Sequence, residues 1–211
     1  MNKLALARQI LYDQSPHSPV LTQKREQALS WGIPDREHHI PCKTMDRPAL
    51  HEFFGQIGHG GNSLYVIRLA AQITKESKSR NIFFIPSPHQ QETGLLNAIA
   101  LPAALQASAI FIHPAHSRDI LWAFEECLRS GQAACVIAEV PFLDLKASRR
   151  LQLACERGQS YAFALCHDTR GMEKSSVART RWQISGKSQN LWSLNLFGGK
   201  GVRPHQWIME R

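Results

Sequence analysis

Pro48-Ala-Leu-His-Glu-Phe-Phe-Gly-Gln-Ile-Gly-His-Gly-Gly-Asn-Ser-Leu64 is the stretch on which the fold turns. Ala49 to Phe54 has the apolar content of a strand, and Gly55, Gly58, Gly60 and Gly61 crowd the next seven residues. Beyond them Leu64, Ile67, Leu69 to Ala71 and Ile73 fall at helical spacing, with Arg68, Lys75 and Lys78 on the water side. Strand, glycine loop, helix is the order in which α/β proteins hold phosphate, because the amides of the helix N-terminus face the anion. Gly55 and Gly60 have the G-x-x-x-x-G spacing of a P-loop. That loop continues with Lys, whose ammonium meets the terminal phosphates, and with Ser or Thr, whose hydroxyl holds magnesium. Gly61 and Asn62 stand there instead, and Ser63 comes one position late. Tight Mg-ATP binding is not expected of such a loop, and no cofactor is expected.

The same rhythm continues down the chain. Asn81 to Ile85, bounded by Pro86 and Pro88, reads as a buried strand. A helix through Leu95 to Leu105, interrupted near Pro102, leads to a strand over Ser108 to Ile112. Asp119 to Ser130 is the clearest helix, with Ser117 as its expected cap and Gly131 as its left-handed stop. Ala134 to Val140 is a central strand. Asp144 or Leu145 opens another helix, with Leu151 and Cys155 inward, Arg149, Arg150 and Arg157 outward, and Gly158 at its end. Tyr161 to Cys166 is the next strand. Alternating strands and helices require right-handed crossovers and a parallel sheet covered on both faces. After Asp168 the period changes: Arg181 to Ser185, Leu191 to Phe197 and Gln206 to Met209 alternate as antiparallel edge strands do. The expected fold is α/β, a mostly parallel sheet extended by an antiparallel meander.

Residues 1–45 stand apart, with an amphipathic stretch from Leu4 to Tyr12 and then a run rich in Pro and Ser. They read as an arm or a pair of small helices outside a core domain of residues 46–211. No apolar stretch approaches the ~20 residues of a membrane span, and the first residues lack the pattern of an export signal, so a cytoplasmic protein is expected. Five cysteines without a C-x-x-C pair do not make a disulfide framework; Cys127, Cys135, Cys155 and Cys166 lie in apolar patterns and are expected buried. Charge is lopsided. Residues 146–211 hold 12 Lys and Arg against Glu156, Asp168, Glu173 and Glu210, and carry the whole net charge of +8. Such a field suits a polyanion or an acidic partner.

Residues 48–64 also resemble, without a gap, the first strand and P-loop of the RecA recombinase family. Gly61 falls on that family's P-loop lysine and Asn62 on its magnesium-binding threonine. Asn81 to His89 resembles the strand that ends in its catalytic glutamate, and Pro88 occupies that place. Ile120 to Glu139 resembles the helix and Walker B strand, with Glu139 where the family has aspartate. The resemblance thus implies a RecA-like fold without hydrolysis, its degenerate nucleotide site made of Gly55, Gly60, Gly61, Asn62 and Glu139. Within RecA-like proteins the chain resembles the ImuA family over roughly residues 48–211. Ala49-Leu-His-Glu52, Asp119 to Glu126, Leu143 to Glu156, Ala178-Arg-Thr-Arg-Trp182 and the Trp192…Gly198-Gly199…Trp207 ending carry the similarity. That family implies an accessory role in inducible, error-prone translesion synthesis after DNA damage. Its partners would be a polymerase-like ImuB-type protein, an error-prone C-family polymerase, and single-stranded DNA or a RecA filament.

In RecA folds the loops after the central strands reach DNA. Arg170, Lys174, Arg179 and Arg181, together with Lys200 and Arg203 in a second basic turn, are therefore the candidate DNA contacts. Trp182 and Trp192 lie in strand alternation and are expected in the core. The segment between Val140 and Lys146 is much shorter than the recombinase loop at that place, which argues against strand exchange. His38, His39 and Cys42, and His113 with His116, lack the spacing of a structural zinc site. His167 and Asp168 are expected to pack or anchor a loop. A rival reading is a SulA-like division inhibitor, since that family is also a shrunken RecA-like fold without a P-loop; it would bind the division GTPase and need no DNA.

Overall fold

The computed structural model describes residues 45, 47–55, 61–76, 81–88, 101, 103–188 and 191–210. Of the expected arm of residues 1–45 only Met45 is described, and it is buried in the core; the glycine-loop residues 56–60 and the helix start at 95–100 also lie outside the described residues. Among the described residues eight strands form one sheet: β1 (Leu50–Phe54), β2 (Asn81–Ile85), β3 (Ala109–Phe111), β4 (Ala133–Val140), β5 (Tyr161–Cys166), β6 (Thr180–Ser188), β7 (Leu191–Gly198) and β8 (His205–Glu210). Their order across the sheet is β3-β2-β4-β5-β1-β6-β7-β8. The mostly parallel α/β sheet with a C-terminal antiparallel part, as the RecA-like resemblance implied, is borne out. One expectation needs correcting. β6 alternates like an edge strand, yet it lies parallel to β1, with Glu52 opposite Arg181, and only its other side pairs antiparallel to β7. Alternation reports a half-buried face, not the direction of the neighbour.

Both faces of the sheet are covered. Helix α1 (Gly61–Glu76) lies on one face, where Tyr65, Val66 and Leu69 join Phe53, Phe163, Trp182 and Trp192. The short α2 (Ala103–Gln106) belongs to that side through Leu105. On the other face α3 (Ile120–Arg129) and α4 (Leu145–Gly158) bury Phe124, Leu128, Leu151 and Cys155 over Leu50, Val136 and Ala164. Trp182 and Trp192 are both core, as alternation implied. Arg68 is not turned to water: it is half-buried, with its guanidinium 5.4 Å from the centre of the Trp192 ring.

The helix ends show how local chemistry sets the boundaries. The Asp144 carboxylate accepts the Ala147 N–H at 2.6 Å and caps α4. Ser117 makes no such cap; it starts a 3-10 turn, Ser117–Asp119, that leads into α3. Gly131 stops α3 at φ 65°. The left-handed residue after α4 is Gln159 (φ 50°), not Gly158. Gly158 is glycine for another reason: a β-carbon there would sit 1.7 Å from the Leu128 carbonyl oxygen, so it lets α3 and α4 touch. Cys127, Cys135, Cys155 and Cys166 are buried free thiols. Burial pushes all four up, Cys127 to about 12 with help from Glu126. Among the described residues no helix is long and apolar enough to cross a membrane.

Candidate functional site

Open α/β sheets take ligands outside the carboxyl ends of their strands. At that end β1 stops at Phe54, and the Gly55 N–H donates to the Cys166 carbonyl at 3.2 Å. Gly61 opens α1 and brings no ammonium. Asn62 folds back over the turn, its Nδ2 donating to the Phe53 carbonyl at 3.5 Å. A β-carbon on Gly55 would meet that amide at 2.3 Å and displace it. Among the described residues the Asn62 Oδ1 has no hydrogen-bond partner.

Next to it, Ser63, Ile67, Phe84, Ile85, Pro86, Ile137, Glu139 and Leu165 line a cavity of about 10 Å³. That is room for roughly one water. Glu139 is also engaged: its Oε2 accepts the Ser87 N–H at 3.0 Å and the Ser87 hydroxyl at 2.9 Å. The acid on β4 therefore ties the end of β2 to its neighbour. Pro88 follows with no carboxylate. Gly60 lies outside the described residues; Gly55 and Asn62 lie against each other, and Ser63 beside them lines one cavity with Glu139.

His167 and Asp168 anchor the chain as it leaves β5, their N–H groups donating to the Val140 and Pro141 carbonyls. Asp168 then caps a 3-10 turn, Thr169–Glu173, and holds the Arg170 guanidinium at 2.6 to 3.0 Å. That guanidinium keeps the Asp168 carboxyl below its usual range. Arg170 is exposed but already paired with a carboxylate, and Lys174 is exposed. From here the chain crosses to the opposite end of the sheet, where the Arg179 N–H donates to the Leu50 carbonyl at 2.8 Å.

Arg181 is not a surface residue, and this corrects its place among the DNA contacts. It is buried, and its Nε donates to the Glu52 Oε2 at 2.8 Å. Its remaining donors reach the Gly171 and Met172 carbonyls at 2.8 and 3.3 Å, while Phe54 and Phe197 flank the guanidinium at 5.4 and 5.1 Å. The other Glu52 oxygen takes the Ser176 hydroxyl. This ion pair fastens the whole crossover to β1. Sequence reasoning missed it, although Glu52 in a strand of mostly buried apolar residues was a signal: a buried carboxylate needs a partner.

Lys200 and Arg203 do form a basic turn, between β7 and β8. Lys200 N–H donates to the Ala178 carbonyl at 3.0 Å, and Arg179 Nη1 to the Lys200 carbonyl at 3.1 Å. Gly199 (φ 136°) makes this closure feasible, since a β-carbon would stand 2.3 Å from the Arg179 oxygen. His113 and His116 are exposed, and among the described residues no group of His, Cys, Asp and Glu could hold a metal ion; His38, His39 and Cys42 lie outside them.

The arrangement defines a mostly parallel α/β domain with Gly61 and Asn62 at the start of the helix that follows β1. Against known proteins, the chain is 28% identical over 206 residues to Protein ImuA of Caulobacter vibrioides, in strains NA1000 and ATCC 19089 alike, covering 86% of this chain and 82% of that protein. This similarity supports membership of the ImuA family. No family model matches the chain. A solved structure of SulA from Pseudomonas aeruginosa aligns with a TM-score of 0.45 at 19% identity, covering 56% of this chain and 96% of that one.

Proposed function

We propose that this chain is a non-catalytic accessory protein of an error-prone translesion synthesis complex, acting in the response to DNA damage. The observation that carries the reading is the similarity to ImuA along 86% of the chain. The chemistry of the corner agrees with it. No ammonium follows the glycine loop, Asn62 is folded onto the backbone, and Glu139 is held by Ser87. Of the acids and cations that phosphoryl transfer needs, Glu139 alone remains, and its work here is structural. In this reading the sheet is a rigid platform. It binds an ImuB-type, polymerase-like partner, works beside an error-prone C-family polymerase, and meets single-stranded DNA or a RecA filament through its basic side.

The test is co-purification of the chain with an ImuB-type partner at micromolar concentration. A stable stoichiometric complex is expected. Absence of any complex, together with inhibition of division-GTPase assembly by the purified chain, would move the protein to the SulA-like reading.

A further inference from the structure

We infer that the N-terminal end of the parallel strands is a binding edge for the phosphate backbone of single-stranded nucleic acid, built from Arg47, Arg157, Arg179, Lys200 and Arg203. It deepens the reading that the chain works on DNA, and rests on it. Topology gathers these residues. Arg157 is in the last turn of α4, which leads into β5; Arg47 precedes β1; Arg179 enters β6; Lys200 and Arg203 lie in the β7–β8 turn. The strands β5-β1-β6-β7-β8 are consecutive in the sheet, so at ~4.8 Å per strand the row spans about 20 Å. Arg47, Arg157, Lys200 and Arg203 are exposed and Arg179 is half-buried. Glu156, in the last turn of α4, accepts a hydrogen bond from Gln152, and Glu126, on the last turn of the neighbouring α3, is paired with Arg129.

Two features favour a phosphate chain over an acidic protein surface. Four of the five cations are arginines, whose forked guanidinium matches phosphate oxygens two at a time. The row also ends on exposed His205, at the start of β8, whose ring meets the half-buried Trp207 edge to face at 62°, with centroids 4.3 Å apart. A flat ring beside a cationic track is how sequence-independent single-strand binders hold bases. The turn is also pre-formed, since the Gly199 backbone and the Arg179–Lys200 hydrogen bond fix it. The edge lies at the opposite end of the strands from Asn62 and Glu139.

The experiment measures binding of the full chain to oligo-dT against salt, for wild type, for Arg47→Ala/Lys200→Ala/Arg203→Ala, and for Arg170→Ala/Lys174→Ala. Unfolding midpoints verify that each variant is folded, and Arg203→Glu alone serves if the triple variant is not. The triple variant is expected to lose about 2 from the log–log salt slope, at ~0.7 per phosphate contact. The Arg170/Lys174 variant should keep the wild-type slope. The reverse pattern overturns the edge but leaves DNA binding standing. Displacement of oligo-dT by polyglutamate at equal charge assigns the edge to an acidic protein and overturns the proposal. Wild type that does not bind even at low salt removes the DNA contact, while co-purification with the ImuB-type partner independently decides the accessory reading.

Discussion

The two ends of this sheet have exchanged the roles that open α/β proteins usually give them. At the carboxyl end of the strands, where ligands ordinarily enter, polar groups face one another. Asn62 bonds to Phe53, Ser87 to Glu139, and Arg170 to Asp168. At the amino end three cations face water: Arg47, Lys200 and Arg203 are exposed and form none of the ion pairs found among the described residues. A fold can thus keep its strand order while its chemistry migrates, because sheet topology is set by buried apolar faces and a site by a handful of polar residues at the rim.

The largest expected effect comes from the joint between the two ends. The segment 167–179 crosses the sheet from one end to the other, and the Glu52–Arg181 pair pins its middle. Glu52→Ala leaves a guanidinium buried without its counter-charge, which costs ~3–5 kcal/mol in comparable cases. Urea unfolding should show this as a large drop in midpoint, with Glu52→Gln losing less because it can still accept a hydrogen bond. A loss below about 1 kcal/mol, the scale of an exposed pair, would show that the crossover is held by something else.

Next is the basic turn. Gly199→Ala forces an alanine to φ 136° and drives its β-carbon against the Arg179 carbonyl. Backbone strain of this kind costs ~1–3 kcal/mol. The same variant should weaken oligo-dT binding by moving Lys200, whereas Gly186→Ala, where a β-carbon meets nothing within 4 Å, should do neither. Equal effects from the two would remove the special standing of the turn.

What the sequence made legible divides along the same line. The apolar runs at 81–85, 134–140 and 161–166 have one solution, a buried parallel strand, and the structure returns each within a residue. The absence of Lys and Ser or Thr at positions 61 and 62 was equally plain, because it depends on residue identity at fixed spacing. Arg181 was not legible as core. A basic residue in a basic stretch reads as surface, and only its long-range partner Glu52, 129 residues away, neutralises it. Arg47 and Arg157 were missed for a related reason: they join Lys200 only when β5, β1, β6 and β7 are laid side by side. Periodicity carries local structure; the gathering of side chains from distant segments is a property of strand order.

A smaller effect is expected from Asp168→Asn. It frees Arg170 at the carboxyl end, and if that end contacted phosphate the salt slope should steepen by about 0.7. No change is expected if binding belongs to the amino end. The pH dependence has a definite sign. Arg170 lowers the Asp168 carboxyl below its ordinary value of about 3.9. The pair's contribution is therefore fully present above that value and is lost as pH falls through the lowered one. Wild type and variant should then share the same shape of stability curve from about pH 5 to 8 and diverge only in acid. Divergence near neutrality would point to another group at this end.

The smallest expected effect is none at all, and it probes the carboxyl end directly. Saturating Mg-ATP should leave the unfolding midpoint of the wild-type chain where it was. A ligand that binds the native state alone stabilises it by about 2.7 kcal/mol at a hundred times its Kd, so even modest affinity would be visible. The expectation follows from groups already spent: the Asn62 amide on Phe53, the Glu139 carboxylate on Ser87, and a neighbouring cavity of about 10 Å³. A clear rise would mean that these bonds open to admit a nucleotide, and the contrast between the ends would fail at its carboxyl side. Salt-dependent oligo-dT binding, measured in the same buffers with and without Mg-ATP, then separates the two claims. If the midpoint rises while the slope stays fixed, the amino edge stands alone. If nucleotide shifts both, the crossover pinned by Glu52 and Arg181 links the two ends, and the sheet works as one device.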